Sequence, residues 1–318
     1  MDAVSLRKLR HLAEYVAFRL VGCVLGVLSV RQTITLAHFA AWLMMRVLPR
    51  KVSRYDIAFD NIRRAFPDRS PADIDRTIQG MWVHFVRLVA ETIQLPRKIT
   101  LTNCREVFVF RQRAKAVDAI VSGRPVFMLG GHYGNWEVST AAFGLFGCPM
   151  GLIAREMDNP YLHDWFVRAR QYTGHKLYLK RGSWDDMVQL LQAGGSLGLL
   201  GDQDAGKRGV FVDFFGRPAS TFKSIALMAM EYKALLIVGY GIRLPDDPNA
   251  RWAQFEIGVE DVIDPLEIDS SDPVREITRR YTVALESAIR RAPEQYFWVH
   301  RRWKTEAPPK RVRVKDAA

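Results

Sequence analysis

The chain has 318 residues, 48% hydrophobic and 25% charged, which is enough for a sizeable core and shows no compositional sign of disorder. Lys and Arg number 46 against 34 Asp and Glu; of the net +12, residues 1–50 carry +5 and residues 298–318 another +5, so the middle is nearly neutral. Three widely separated cysteines without a CxxC, Cys23, Cys104 and Cys148, argue against a disulfide framework or a zinc site and read as small buried hydrophobes in a reducing compartment.

The N-terminus is the most apolar region. Tyr15 to Val30 is broken by Arg19, Ser29 and two glycines, and a second run from Ile34 to Leu48 contains His38 and Arg46. Each run is shorter than the roughly 20 residues that span a bilayer upright. Three readings compete: a short or tilted transmembrane helix with Arg19 snorkelling, a hairpin lying in the interface, or buried core helices. A signal peptide lacks its small-residue cleavage site, since Arg31 and Gln32 follow Val30. Basic flanks at Arg7, Lys8, Arg10, Arg50, Lys51 and Arg54 point to the cytoplasmic face of an anionic membrane. No zinc finger, RNP-type motif or basic heptad region supports nucleic-acid binding. Residues 1–50 are therefore expected to form a membrane-anchoring helical segment, and residues 51–318 the main domain.

Downstream, a helix is predicted over Asp56–Phe66, ending at Pro67. Ser70, Pro71 and Asp73 form a variant capping box for a helix expected to run to about Gln94 and stop at Pro96. Another helix is predicted over Arg111–Val121. Strands and helices then alternate: Pro125–Leu129, Met150–Ile153, Lys176–Leu179, Ser196–Leu200 and Leu235–Gly241 as strands, with helices at Trp136–Phe146, Tyr161–Thr173, Trp184–Ala193 and Phe222–Tyr232. Ala253–Val259 reads as an antiparallel strand and Asp272–Ala292 as a long helix. The pattern predicts an α/β domain with a largely parallel central sheet flanked by helices, and ligands at the carboxyl ends of its strands.

The first of those strand ends carries Gly130-Gly131-His132-Tyr133-Gly134-Asn135-Trp136-Glu137. An imidazole with a carboxylate to fix its tautomer can activate a hydroxyl as a nucleophile. On a regular helix, residues five apart point about 140° from each other. His132 and Glu137 can therefore meet only if His132 sits on the turn and Glu137 in the first turn of the helix. No second histidine supplies the zinc-protease spacing, and no Gly-x-Ser-x-Gly elbow is present.

Two more clusters follow predicted strands. Arg155 is placed to clamp a phosphate or to pair with Glu156 or Asp158. Asp202, Gln203 and Asp204, followed by Lys207 and Arg208, crowd one loop: Asp202 and Gln203 can orient a substrate or a neighbouring catalytic group, and the less favoured alternative is a divalent metal on Asp202 and Asp204. Val210–Pro218 reads either as a channel lining for a hydrocarbon chain or as an ordinary hairpin. Aromatics interleave with cations over Tyr296–Lys304, a segment expected to close the domain beside the site or to face headgroups.

Together these residues resemble the bacterial lipid A biosynthesis acyltransferase family, including its lysophospholipid-acylating relatives, over about residues 10–306. The resemblance is carried in order by Asn61-Ile62-Arg63-Arg64-Ala65-Phe66-Pro67, Glu91, the His132-x4-Glu137 block, Arg155 with Asp158-Asn159-Pro160, Gly201-Asp202-Gln203-Asp204 with Phe214-Phe215-Gly216, and Pro293–Thr305. It implies acyl transfer from a thioester of acyl carrier protein or coenzyme A to a hydroxyl on a lipid acceptor at the cytoplasmic leaflet, with no metal or bound cofactor. His132 would be the general base and Glu137 its orienting partner. Gly131, Asn135, Arg155, Asp202, Gln203, Arg301 and Arg302 would contact substrate, with backbone N–H groups near Gly131, or Arg155, serving an oxyanion or a phosphate. The family's acceptors include lipid A precursors, lysophospholipids and mannosylated phosphatidylinositol; a lipid ester or thioester hydrolase using the same dyad is the further alternative.

Overall fold

A computed structural model describes residues 3–179, 182–247 and 250–308; the basic residues Lys310, Arg311, Arg313 and Lys315 of the expected C-terminal cluster lie outside the described residues. The chain begins with α1 (Ala3–Val27) and α2 (Val30–Arg46), then α3 (Arg50–Ser53), α4 (Tyr55–Ala65), α5 (Pro71–Lys98) and α6 (Cys104–Val107). The α/β part follows as β1 (Phe108–Arg111), α7 (Arg113–Ile120), β2 (Val126–Gly130), α8 (Trp136–Leu145), β3 (Gly151–Ala154), α9 (Pro160–Gln171), β4 (Lys176–Leu179), α10 (Trp184–Gln192) and β5 (Ser196–Leu200). A hairpin of β6 (Val210–Phe214) and β7 (Arg217–Thr221) leads to α11 (Lys223–Glu231), β8 (Leu235–Arg243), β9 (Phe255–Ile263) and α12 (Pro273–Arg291).

Local chemistry starts most of the long helices where the sequence marks them. Ser29 and Gln32 make a reciprocal capping box for α2, and Ser70 and Asp73 do the same for α5. Asn135, Asn159 and Asp272 cap α8, α9 and α12 through their side-chain oxygens, the last two with proline in the first turn. The α5 helix departs from expectation by running through Pro96 to Lys98. A proline one turn from the end removes a single helical hydrogen bond, and Thr92, four residues earlier, satisfies its own hydroxyl on the Leu88 carbonyl.

The main sheet has strand order β1-β9-β8-β2-β5-β3-β4. The strands β8, β2, β5, β3 and β4 are parallel; β9 is antiparallel to β8 and parallel to β1. The largely parallel sheet and the reversed Ala253 region are thus as the sequence suggests, whereas β1 and α6 fall in a stretch where no such elements are expected. The alternation of β2 sends Phe127 and Leu129 into a core with α10, α11 and α12, and Val126 and Met128 to the opposite face against α7. A third core joins α4, α5, the β6–β7 hairpin and the C-terminal segment around Trp298.

The Val210–Pro218 stretch is a hairpin rather than a channel wall. Its turn residues Phe215 and Gly216 have φ of 53° and 70°, the positive values a two-residue hairpin turn demands. Phe215 packs edge-on to Phe66, 5.2 Å between ring centres, and lies against Trp298.

Among the described residues, no helix is long and apolar enough to cross a membrane, so the transmembrane reading of the N-terminus finds no support. The first two helices are instead tied to the body. Gln94 on α5 donates to the Leu25 carbonyl at 2.6 Å, Asn159 donates to the His11 carbonyl and to Glu14, and Phe18 meets Trp165 of α9 edge-on at 4.8 Å. Even so, α1 leaves Val4, Leu9, Val16, Leu20, Val24 and Val27 exposed.

Candidate active site

Strands β2 and β5 are neighbours, paired from Val126–Ser196 to Gly130–Leu200. Their carboxyl ends therefore reach the same level, and the Gly201 N–H donates to the Gly130 carbonyl at 3.0 Å. Two residues beyond Gly130 stands His132, and two beyond Leu200 stands Asp202. Asp202 accepts from the His132 backbone N–H through Oδ2 and faces His132 Nδ1 through Oδ1, both at 2.8 Å. A Cβ on Gly131 would lie 3.2–3.3 Å from the Asp202 side chain, so glycine lets the two loops close to this distance.

Asp202 is 4% exposed, a carboxylate that tolerates burial because it is paired. Burial alone would raise its pKa, but His132 and the hydrogen bonds from it hold it below the usual carboxylate value. Burial likewise pulls His132 down, and the charge and hydrogen bond of Asp202, with a smaller contribution from the charge of Glu137, outweigh it and raise the imidazole above 6.5. With Nδ1 committed to Asp202, Nε2 is the free basic nitrogen. Gln203 Nε2 approaches it to 3.4 Å.

Glu137, expected to orient His132, is hydrogen-bonded to other side chains in this structure. Its oxygens receive Arg170 Nε at 3.1 Å, Arg170 NH2 at 2.6 Å and Trp136 Nε1 at 3.1 Å. Glu137 occupies the first helical turn, as the geometry demanded, but faces α9, and the partner expected of it is supplied by Asp202 from another strand. Its influence on His132 is that of a nearby charge.

The loop carrying His132 is fixed from below by a polar network in which Glu91 and Asn135, both marked in the sequence, join His84 and Arg243, which were not. Gly134 has φ of +62°, and a Cβ there would sit 2.1 Å from the Gly241 carbonyl oxygen, so only glycine fits. His84 Nε2–H donates to the Gly134 carbonyl at 3.1 Å while His84 Nδ1 accepts from Arg243 at 2.9 Å. Burial and the neighbouring Arg243 charge depress the His84 pKa well below 6.5 and keep the ring neutral. Glu91 bridges Arg243 and Asn135 Nδ2, the latter at 2.7 Å. The available signal was helical spacing: His84 and Glu91 lie on the same α5 stripe as buried Ile74, Ile78, Met81 and Leu88.

Other expected contacts take different roles. Asn135 is fully buried, its amide on Glu91 and its carbonyl oxygen capping α8 at Val138, so it supports the loop instead of touching substrate. Arg302 is 2% exposed and donates to the Ser220 carbonyl and Thr221 Oγ1, both at 2.6 Å; it anchors the hairpin and cannot meet a headgroup. Arg155 and Arg301 are exposed. Asp204 is spent on Gly206 and Thr305, so Asp202 and Asp204 do not converge on a metal position. The C-terminal block closes over the loop: Phe297 N–H donates to the His132 carbonyl, its ring packs 6.0 Å from the imidazole, and Asn61 holds the Trp298 and His300 carbonyls.

Beside the pair lies a cavity of about 810 Å³, well within the range of small-molecule sites. Gly131, Trp136 and Glu137 form its wall at the histidine end, and Ala116, Ile120, Met128, Phe143, Leu152 and Ile237 are among the residues that make it apolar. Gly130 and Gly239 place no side chain on this face of the sheet, and a Cβ at Gly130 would find its nearest neighbours 3.6 Å away.

The fold and site thus define an α/β protein with a histidine–aspartate pair at the sheet's carboxyl edge beside an apolar cavity. The chain belongs to the bacterial lipid A biosynthesis acyltransferase family, whose model matches residues 4–305. It is 29% identical over 191 residues to the lipid A biosynthesis lauroyltransferase of Escherichia coli K12, an alignment spanning 59% of each chain. It is 25% identical over 255 residues to the lipid A biosynthesis palmitoleoyltransferase of the same organism, spanning 79% of each. The crystal structure of a 1-acyl-sn-glycerophosphate acyltransferase from Thermotoga maritima aligns over 79% of this chain and 97% of its own, at 12% identity and a TM-score of 0.35.

Proposed function

We propose that this protein transfers a fatty acyl chain from an acyl thioester, carried by acyl carrier protein or coenzyme A, to a hydroxyl of a lipid A precursor or a related lipid. The observation that carries the reading is the His132–Asp202 pair opening beside the apolar cavity. Asp202 holds Nδ1 protonated, so Nε2 accepts the proton of the acceptor hydroxyl as its oxygen attacks the thioester carbonyl. The cavity buries the acyl chain with its carbonyl at the histidine end. Asp202 and the charge of Glu137 steady the imidazolium. The departing thiolate then takes the proton back from Nε2, and no covalent enzyme intermediate forms.

The exposed apolar side chains of α1, accompanied by exposed Arg7, Lys8 and Arg10, favour a helix that lies on an anionic membrane surface, at the cytoplasmic leaflet where acyl thioesters are made. The family names and the two relatives favour a lipid A precursor as acceptor.

Assays of the full chain in membrane extracts test this. Radiolabelled lauroyl-coenzyme A and lauroyl-acyl carrier protein are offered with a lipid A precursor or a lysophospholipid, and products are resolved by chromatography. Label should move to the lipid in wild type and not in His132→Ala. Release of free fatty acid with abundant acceptor would identify a hydrolase and end the transfer reading.

A further inference from the structure

The tetrahedral adduct formed when a hydroxyl attacks a thioester places negative charge on the former carbonyl oxygen, and a transferase must meet it with hydrogen-bond donors. Many of the donors around His132 are already spent. The N–H of His132 goes to Asp202, that of Gly134 to the Gln295 carbonyl, that of Asn135 to the Gly241 carbonyl, that of Gly201 to the Gly130 carbonyl, and that of Asp204 to His300. Trp136 Nε1 and Arg170 donate to Glu137, and Arg302 is buried on the hairpin. Arg155 stands exposed on the loop after β3.

The side-chain amide of Gln203 is different. It sits one residue from Asp202 with Nε2 only 3.4 Å from His132 Nε2, a long contact facing the lone pair that must receive the proton. An incoming hydroxyl takes that place on the imidazole and leaves the amide, with two N–H donors, beside the reacting carbon. Gln203 is half-buried, so the amide is reachable by substrate yet shielded from bulk water.

From this geometry we infer that Gln203 is a catalytic residue, the side-chain donor to the oxyanion of the acyl-transfer step, an inference that rests on the acyltransferase reading above. The acceptor oxygen bonds to the thioester carbon as its proton passes to His132 Nε2. The carbonyl π pair moves to oxygen and accepts the Gln203 N–H. On collapse the carbon–sulfur bond breaks, and the thiolate leaves with the proton from Nε2.

The test compares wild type with Gln203→Ala, Gln203→Met and Gln203→Glu in full-length protein, using lauroyl thioester and lipid acceptor under saturating and limiting conditions. Removing one oxyanion donor should lower kcat about 10²–10³-fold while each KM stays within about threefold, because the contact forms only as charge develops. Gln203→Met keeps the length without the donor and should match Gln203→Ala; Gln203→Glu should fall furthest. In the Ala and Met variants, which add no charge, the pH at which the rate reaches half its plateau should remain that of wild type, since His132 keeps Asp202. A kcat within about tenfold of wild type in both Ala and Met variants would overturn the inference. So would a loss confined to KM, or a displaced pH limb in the Ala and Met variants that accounts for the rate loss and reduces Gln203 to a prop for the base. Absence of acyl transfer by wild type itself, a separate outcome, would remove the underlying reading and this inference with it.

Discussion

Asp202 grips His132 at two points, taking the backbone N–H through one carboxylate oxygen and facing Nδ1 with the other, each at 2.8 Å. The pair spans 70 residues of sequence and exists because β2 and β5 are adjacent and in step. It fixes the imidazole's tautomer, tilt and position at once, which a carboxylate on the following helix does not do here.

Asp202→Asn should therefore lower kcat by about 10²–10⁴-fold, the range of a lost general base, because the amide can present the wrong hydrogen-bonding group to Nδ1. Glu137→Gln removes a charge but no contact to the imidazole, and should cost less than Asp202→Asn. Steady-state acyl transfer by the two purified variants, with thermal melts to confirm folding, checks the order. Equal losses would mean that Glu137 moves onto His132 when substrate binds.

The pH dependence follows from the raised His132 pKa. The base works only when unprotonated, so the rate should rise with pH through a midpoint above 6.5. Asp202→Asn removes the largest stabilising influence on the imidazolium, and the residual activity should show its midpoint at lower pH. The stability contribution has the opposite sense. A histidine whose folded pKa is raised contributes most below its unfolded value of about 6.5 and loses that contribution as pH rises through the folded value. Rate and stability should thus diverge across the same window in pH-resolved kinetics and melts.

Arg301 and Arg302 are neighbours in sequence and opposites in the fold. Arg302→Ala leaves the buried Ser220 carbonyl with the Ala205 N–H as its remaining donor, takes the guanidinium from Thr221 Oγ1 and opens a hole under the hairpin, and should cost about 1–3 kcal/mol. Arg301→Ala, at an exposed position, should stay within about 0.5 kcal/mol. Chemical denaturation separates them; equal destabilisation would contradict the anchoring role.

Ala116 on α7 is buried at the cavity wall. Ala116→Phe should shorten the space available to the acyl chain and shift the donor preference toward shorter thioesters. A pocket distinguishes one methylene by about 10-fold or more, so competition between C8, C12 and C16 donors should show the shift directly. An unchanged profile would place the acyl chain outside this cavity.

Much of the architecture was legible in local chemistry. The Ser70–Asp73 box marked the start of α5, and short apolar runs alternating with helical segments marked most of the α/β part. The strand β1 was hidden because Phe108–Arg111 is an edge strand of only four residues, with three of them exposed and no alternation to read. Hydrophobicity placed the N-terminal runs on α1 and α2, but hydropathy does not register the tethers through Gln94 and Asn159 that bind them to the body.

At the site, the sequence alone determined the histidine, the glycines that let its loop turn, and the acid–amide cluster of Asp202 and Gln203, because each residue type is tied to a local backbone or chemical need. Tertiary structure decided the partnerships. Strand order, which periodicity cannot encode, brought Asp202 to His132 and left Glu137 to Arg170. Burial turned Asn135 and Arg302 from candidate contacts into supports, and assembled His84, Glu91 and Arg243 beneath the loop. A side chain's role depends on which neighbours displace its water, and those neighbours come from elements far apart in the chain.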